Sequence, residues 1–372
     1  MKRVLLPERA NWQQAHQEIG FDYYNLPSRD GSMYWSEGVA YEFSLKQIEQ
    51  LEDASNELHQ MCLEVAGDMI QRGHYPEYFQ IPPAAIPLIE HSWKNQAPML
   101  YGRFDFAYDG QAIKMLEYNA DTPTGLLEAS VAQWHWIEQV ENIANRDQFN
   151  SIHEKLIERW KQLYPARSRV HFAACQEAGR EDWGNLEYLM DTAFQAGLNV
   201  SELSMENIGW NGTAFVDLHQ QEIQHLFKLY PWEWIWEENF SQFLKPETEW
   251  IEPCWKMLLS NKALLIELWK RFPNHPLLLE THAYDAHAHY AGKWVRKPIL
   301  AREGANIHIL QNNVDCGAAS GSFYFDDYDK YGYVMQRWVK TPLHEGMLPT
   351  LGLWMVGDEC AGMSLREDVF DV

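Results

Sequence analysis

The fold of this chain is decided by Tyr101-Gly-Arg-Phe-Asp-Phe-Ala-Tyr-Asp-Gly110 and, after three residues, Lys114-Met-Leu-Glu-Tyr-Asn-Ala-Asp-Thr-Pro-Thr124. The pattern predicts two short strands joined by a turn at Asp109-Gly110. Because side chains alternate between the faces of a strand, four polar residues fall on corresponding faces of this pair. They are Arg103, Asp105, Glu117 and Asn119.

Two carboxylates and an amide are oxygen ligands of the kind that Mg²⁺ accepts, and a guanidinium beside them suits an anion. The alternative is a solvent-exposed set, since charged residues that alternate along a strand usually face water. The loop that follows, up to Gly125, favours the functional interpretation. It leads into a helix-like run from Leu126, and Thr122 and Thr124 lie where a helix N-terminus offers free N–H groups to a carboxylate or phosphate.

Composition narrows the classes of partner. The chain has 372 residues, of which 46% are hydrophobic and 14% aromatic, as expected for a folded protein with two or three subdomains. Its formal net charge of -23 argues against nucleic acid and against anionic membranes, because binding to phosphates needs an excess of Lys and Arg. A cationic substrate is compatible with this charge, although acidic proteins are mostly acidic for solubility.

The cysteines and the N-terminus predict a cytoplasmic protein. Five widely spaced cysteines without a Cys-x-x-Cys pair fit free thiols in a reducing compartment. The N-terminal segment has no apolar stretch long enough for a signal peptide, and no window approaches a membrane span.

Hydrophobic spacing divides the chain into three predicted parts. Residues 1–165 include a long helix from about Ser44 to Arg72 and a helix-like run from Glu128 to about Tyr164, interrupted near Asn145. Residues 166–245 give a small α/β unit of strand, loop, helix and strand, in which the loop Gly179–Asn185 follows the first strand.

Residues 246–372 mix helices with antiparallel-looking strands, which fits an α+β lid over a nucleotide. The predicted helices are Ala263–Arg271 and Pro276–Thr281, and the predicted strands are Trp294–Ile299, Ile307–Leu310, Tyr333–Trp338 and Leu353–Val356.

The motifs together resemble the synthetase domain of the glutathionylspermidine synthase family. The resemblance rests on Arg-x-Asp at 103–105, Glu-Tyr-Asn-Ala-Asp at 117–121, Ser260-Asn-Lys-Ala-Leu-Leu, Phe272-Pro-Asn-His-Pro, Val295-Arg-Lys-Pro-Ile, Arg302-Glu-Gly-Ala-Asn-Ile and Gly362-Met-Ser-Leu-Arg366. It runs over most of the chain in the family's order. It implies an ATP-grasp fold with a permuted order of elements, plus a small α/β subdomain of the pre-ATP-grasp type. Because the chain begins in the synthetase-like region, we expect no amidase domain.

The resemblance implies an enzyme that joins a peptide-like carboxylate to an amine or polyamine with ATP and Mg²⁺. The matching positions give Asp105, Glu117 and Asn119 as metal ligands and Arg103 and Arg366 as catalytic residues. The nucleotide would be held by Lys262, Lys297, Gly304, Gln336, Trp338 and Val339. Thr122, Thr124, Glu181 and Asp182 would bind the substrates.

This chain departs from the family where the substrates would bind. Glu181 and Asp182 stand where a pair of glutamates is expected, and Thr122 and Thr124 replace serines. The identity of the acid and of the amine is therefore open, and so is a homodimer. Three alternatives remain: a ligase for another acid–amine pair, a regulatory nucleotide-binding protein without turnover, and a kinase-like phosphotransferase.

Other site types find little support. The segment after Arg302 lacks the GxxxxGK[ST] spacing, which excludes a P-loop ATPase. The pair His287 and His289 has no further ligand at zinc spacing, so surface histidines are the better interpretation.

Overall fold

Three sheets of four or five strands organise the chain. The structure is a computed structural model, and it describes residues 1–27, 33–141, 143, 146–245, 247–302, 304–318 and 326–369. The strands are β1 (Lys2–Leu5), β2 (Val39–Glu42), β3 (Tyr101–Tyr108), β4 (Ile113–Asn119), β5 (Arg169–Ala174), β6 (Asn199–Ser204), β7 (Gly209–Trp210), β8 (Phe215–Val216), β9 (His225–Leu229), β10 (Glu249–Ile251), β11 (Thr281–Ala283), β12 (Lys293–Pro298), β13 (His308–Gln311), β14 (Val314–Ala318), β15 (Tyr333–Arg337), β16 (Leu348–Val356) and β17 (Glu359–Asp368).

Helices connect and cover these strands. They are α1 (Trp12–Glu18), α2 (Leu45–Arg72), α3 (Ile86–Lys94), α4 (Gln133–Gln139), α5 (Ile152–Leu163), α6 (Arg180–Gln195), α7 (Trp232–Glu237), α8 (Met257–Ser260) and α9 (Leu264–Arg271). Within the described residues, no helix has both the length and the apolar character that crossing a membrane requires.

The sheets differ in direction. The hairpin β3–β4 is extended into the antiparallel sheet β17-β16-β3-β4, and a second antiparallel sheet has the order β11-β15-β12-β13-β14. The sheet β10-β9-β5-β6 is parallel throughout. The predicted mixture of α/β and α+β parts is therefore confirmed, and the assignment of an ATP-grasp core stays a proposal.

Local signals predicted several elements well. Helix α2 begins after Ser44, which forms a capping box with Gln47, and ends at Gly73 in the left-handed conformation (φ 59°). The turn between β3 and β4 is fixed by Asp109, whose Oδ1 accepts hydrogen bonds from the backbone N–H groups of Gln111 (2.9 Å) and Ala112 (2.7 Å).

Two secondary-structure predictions were wrong, and a third was confirmed. Residues 276–280 form turns and irregular backbone instead of a helix, and residue 281 begins β11, which pairs with β15. The segment Gly179–Asn185 is not a loop, because α6 begins at Arg180. The helix-like run predicted from residue 128 to 164 with an interruption near Asn145 is confirmed, because α4 ends at Gln139, α5 begins at Ile152, and the described residues between them are not helical, although Asn145 itself lies outside the described residues.

The three-part division at residues 165/166 and 245/246 stays a prediction. Two pairings cross its boundaries. Strand β10 completes the parallel sheet of the middle part, and strands β16 and β17 join the hairpin sheet of the first part.

Helix α2 supplies much of the apolar core behind the hairpin sheet, and it offers a test of that packing. Leu58 is fully buried on α2, whereas Leu45 at its first turn is 73% exposed. We expect Leu58→Ala to lower the free energy of unfolding by about 2–5 kcal/mol, because the substitution leaves a cavity in a close-packed core. Urea unfolding followed by tryptophan fluorescence measures this change.

The control is Leu45→Ala on the same helix, which we expect to change the free energy of unfolding by less than about 0.5 kcal/mol. Equal effects of the two substitutions would contradict the packing described for α2.

Candidate active site

The four polar residues of the hairpin face one another, as the alternation predicted. Arg103 lies opposite Asn119, and Asp105 lies opposite Glu117. The register shifts just after Asp105, so this end of the hairpin is a separate, regularly paired segment.

Asp105 lies between two arginines. Arg103 donates to both of its carboxylate oxygens (Nε–Oδ1 2.8 Å and Nη2–Oδ2 3.2 Å), and Arg366 donates from Nη2 to Oδ2 at 2.5 Å. Asp105 is 4% exposed. Burial alone would raise the pKa of its carboxyl group, but the charges of Arg103 and then Arg366 outweigh burial and hold the pKa far below its usual range. The carboxylate is therefore ionised in this cluster.

Gly352 allows the side chain of Arg103 to lie across the sheet. It pairs with Asp105 in the register of β16 and β3, and a Cβ atom there would meet Arg103 Cδ at 3.0 Å and Ser364 Oγ at 2.9 Å. A side chain at position 352 would thus push Arg103 away from Asp105. The remaining Arg103 nitrogen, Nη1, donates to the carbonyl oxygen of Thr124 at 2.5 Å.

Glu117, on the neighbouring strand β4, has an amide and a lysine as its partners. It accepts from Asn119 Nδ2 (3.0 Å) and pairs with Lys262 Nζ (3.2 Å). Burial raises the pKa of its carboxyl group, but the charge of Lys262 contributes most to lowering it, and the net pKa lies below the usual value. Glu117 is therefore also an anion.

The two predicted nucleotide lysines converge on this carboxylate. Lys262 is 7% exposed, between α8 and α9, and donates to the carbonyl of Ala301 (2.9 Å). Lys297 is 6% exposed on β12 and donates to Gln336 Oε1 (2.7 Å). Burial lowers the pKa of Lys297 to about 8. Both ammonium groups therefore point into the protein and away from solvent.

The donor set fits a magnesium ion only when phosphate is also present. Among the described residues, no group of three or more His, Cys, Asp and Glu side chains could hold a metal. Mg²⁺ in nucleotide sites is commonly held by one or two carboxylates together with phosphate oxygens and water, and Asp105 and Glu117 match that set. In this structure Asp105 accepts a hydrogen bond from Arg366, and Glu117 forms an ion pair with Lys262. A bound cation would have to displace these two side chains.

Both threonines lie beside the cluster. Thr122 Oγ1 accepts from Arg302 Nη2 (2.5 Å), so the segment that carries Arg302 reaches the loop after β4. Gly304, in the same segment, has a left-handed backbone (φ 68°), while Glu303 lies outside the described residues. Arg302 was not predicted as a contact of Thr122, because only the fold brings the two together.

Most of the predicted site residues line one large cavity of about 2670 Å³. They are Arg103, Asp105, Glu117, Asn119, Thr122, Thr124, Glu181, Asp182, Lys262, Lys297, Gly304 and Arg366. Glu181 and Asp182 enter it from the first turn of α6. The volume exceeds the 300–1,000 Å³ of a typical single-ligand pocket, so there is room for more than one ligand.

Three of the residues predicted to hold the nucleotide, Gln336, Trp338 and Val339, do not line this cavity. Gln336 is 1% exposed and bonds Lys297, which makes it a partner of the lysine in this structure. Trp338 and Val339 are half-buried, and Lys293 Nζ lies 3.7 Å from the centre of the Trp338 ring. Their contact with a nucleotide stays a prediction.

Two buried features were missed in the sequence. Lys228, fully buried on β9, binds Asp121 Oδ1 at 2.6 Å, and the backbone N–H of Trp232 donates to the other oxygen at 3.0 Å. This pair anchors the loop between Asn119 and Thr124. A lysine inside the otherwise apolar run of β9 was the available signal. The second feature is Glu128, whose carboxylate also lines the cavity.

Known proteins resemble this chain over its whole length. The family described as "Glutathionylspermidine synthase preATP-grasp" matches residues 3–372. A Haemophilus influenzae protein named "Putative acid--amine ligase" is 51% identical over 376 residues, which cover 99% of this chain and 95% of that protein. "Trypanothione synthetase" from Crithidia fasciculata is 26% identical over 401 residues, which cover 97% of this chain and 59% of that protein.

A solved structure shares the fold. The glutathione synthetase-like effector from Globodera pallida, in its apo form, has a TM-score of 0.60 and 10% identity, and the match covers 99% of this chain and 98% of the effector. At this identity the likeness is one of fold alone. The family predicted from the motifs is confirmed, and this chain belongs to the glutathionylspermidine synthase preATP-grasp family.

Proposed function

We propose that this chain is an ATP- and Mg²⁺-dependent acid–amine ligase, which forms an amide bond through an acyl phosphate on an ATP-grasp-like core. The observation that carries the proposal is the convergence of Arg103 and Arg366 on Asp105 next to Lys262 and Lys297 at Glu117, all on one cavity. The enzyme class agrees with the family and with the name of the H. influenzae relative.

The positive groups have complementary tasks in this reaction. Lys262 and Lys297 would hold the phosphates of ATP as buried point charges. Arg103 and Arg366 would hold the substrate carboxylate and stabilise the negative charge that develops as a phosphoryl group reaches it. Arg103 and the two lysines are buried, where water screens their charge less, whereas the Arg366 side chain is 54% exposed.

The negative groups would serve the metal and the amine. Mg²⁺ on Asp105, Glu117 and Asn119 would neutralise charge on the phosphates during transfer. Thr122 and Thr124 would bind the peptide-like acid, and Glu181 and Asp182 would bind the cationic amine or polyamine. The formal net charge of -23 favours the approach of such a cation. Five free cysteines support a cytoplasmic location.

The first experiment follows ADP and product mass together. The purified protein receives Mg-ATP and glutathione, with and without spermidine, because the family description names both parts of that product. We expect ADP release that needs the acid and the amine, and a product with the mass of their amide. ATP binding without turnover would move the search to another acid–amine pair, a phosphorylated acid that accumulates with no amide would favour a phosphotransferase, and no ATP binding at all would contradict the proposal.

Removal of a metal ligand tests the assignment of Glu117. We expect Glu117→Ala to lower kcat by at least about 100-fold, since a lost ligand costs several kcal/mol in the transition state. Initial rates of ADP release at several Mg²⁺ concentrations measure this. Glu154→Gln, an exposed carboxylate on α5, is the control and should leave the rate unchanged. A loss of less than tenfold at position 117 would contradict the metal assignment.

The lowered pKa of Lys297 predicts a pH dependence of ATP binding. Below its pKa of about 8 the ammonium is charged and attracts phosphate, and above this pKa it is neutral. We therefore expect the Kd for ATP to rise above pH 8 by up to about tenfold per pH unit, because binding then requires uptake of a proton. Isothermal titration calorimetry between pH 7 and 9 measures the profile.

Two variants check that the pH dependence comes from Lys297. Lys297→Met should bind ATP weakly with a flat profile, while Lys46→Met, at an exposed position, should keep the wild-type profile. A flat profile in the unaltered protein would rule out this role for Lys297.

A further inference from the structure

Glu128 is a buried carboxylate with one unused oxygen. It lies in a π-helical turn, Glu128–Ala132, and is 9% exposed. Its Oε1 accepts a hydrogen bond from the hydroxyl of Tyr34 at 2.6 Å. Its Oε2 has no hydrogen-bond partner among the described residues. Buried polar atoms are seldom left unpaired, so this oxygen calls for a ligand or a function.

The carboxylate lies on the wall of the cavity that holds the charge cluster. Thr124, four residues earlier in the chain, accepts from Arg103 Nη1 through its carbonyl oxygen (2.5 Å). The backbone N–H of Leu126 donates to Asn185 Oδ1 (2.8 Å), which ties this segment to α6, the helix that carries Glu181. Glu128 thus belongs to the wall between the arginines and the acidic start of α6.

Few cations oppose the charge of Glu128. Burial and then the negative charge of Glu181 raise the pKa of its carboxyl group to about 7, while the hydrogen bond from Tyr34 lowers it. The hydroxyl of Tyr23 also faces the carboxylate and, like that of Tyr34, favours its ionised form. A pKa raised towards neutrality lets the carboxyl group both take up and release a proton.

Charged residues on the other elements that pack against the turn Glu128–Ala132 have partners other than Glu128. Strands and helices that pack on it include β17 and α5. Arg366 of β17 binds Asp105, and His153 of α5 bonds the Tyr188 hydroxyl (3.0 Å). Glu233, another cavity carboxylate, has Arg302 at 4.0 Å. Glu128 is therefore a buried carboxylate on the cavity wall with one oxygen that no described residue pairs.

An amide-forming reaction needs such a group. The substrate amine enters as R–NH₃⁺ and must lose one proton before its lone pair can attack the carbonyl carbon of the acyl phosphate. The new C–N bond forms as the C–O bond to phosphate breaks, and that electron pair leaves with the phosphate. The second proton on nitrogen goes to the departing phosphate, giving the amide, HPO₄²⁻ and one proton to be accepted elsewhere.

We propose that Glu128 binds the ammonium group of the amine substrate and accepts that first proton, with Tyr34 orienting its carboxylate. This role rests on the ligase function proposed above. Glu181, on the adjacent start of α6, adds negative charge that favours the cation. The proton then passes from Glu128 to solvent through the cavity once the product has left.

The test compares two amines whose need for a base differs. Spermidine is protonated at pH 7 and must lose a proton to react, whereas hydroxylamine is neutral at this pH. With Mg-ATP and glutathione, we expect Glu128→Gln to lower amide formation from spermidine by roughly 100-fold or more. Hydroxamate formation from hydroxylamine should stay within about threefold of the unaltered protein. A merely structural loss would lower both rates equally.

A second variant keeps the carboxylate and changes its environment. Tyr34→Phe removes the hydrogen bond that stabilises the ionised form, so the pKa of Glu128 should rise. We expect the acidic limb of kcat/KM for spermidine to move to higher pH in this variant. Glu154→Gln, outside the cavity lining, is the carboxylate control and should retain both rates and the profile.

The outcomes separate the two proposals. Hydroxamate from the unaltered protein supports the ligase function, and loss of only the spermidine reaction in Glu128→Gln supports the proton acceptor. Equal rates with spermidine in Glu128→Gln and the unaltered protein would overturn the role of Glu128 alone. Absence of both amide and hydroxamate from the unaltered protein, with glutathione and with every other peptide carboxylate supplied, would overturn the ligase function and this inference with it.

Discussion

The ion cluster of Arg103, Asp105 and Arg366 is the constraint on which the rest of the site depends. Burial of charged groups costs more free energy than it returns unless every partner is in place, so such a cluster fixes its surroundings. Here it joins the strands β17 and β3 on either side of β16, and the Arg103 side chain crosses the sheet at Gly352, where a Cβ atom would lie 3.0 Å from Arg103 Cδ. Lys262 and Lys297 then approach Glu117 on the neighbouring strand β4, which gives the cavity adjacent negative and positive zones.

Local physics made the hairpin and the long helix predictable. Alternation of side chains, the Asp-Gly turn and the helical spacing of apolar residues from Ser44 to Arg72 are local patterns, and each predicted its element. The pairing that brings Arg366 to Asp105 joins positions 261 residues apart. No local pattern specifies such a contact, and only the family resemblance placed Arg366 in the site.

The remaining errors came from charged residues in apolar surroundings and from turn chemistry. Lys228 binds Asp121 across 107 residues, so its sequence neighbours gave no indication of a buried ion pair. Glu128 lay in a helix-like run and resembled an ordinary surface carboxylate, although the fold buries it beside Tyr34. The segment from residue 276 was predicted as a helix, but its backbone turns towards β11, whose pairing with β15 outweighs local helix propensity.

In the proposed reaction, the substrate acid is activated by transfer of a phosphoryl group to its carboxylate. The most direct measurement supplies glutathione labelled with ¹⁸O in the glycine carboxylate, together with Mg-ATP and spermidine, and follows the label by mass spectrometry. We expect one ¹⁸O atom in each inorganic phosphate released and none in the nucleotide. Label in AMP would indicate an acyl adenylate, and phosphate without label would contradict an acyl phosphate altogether.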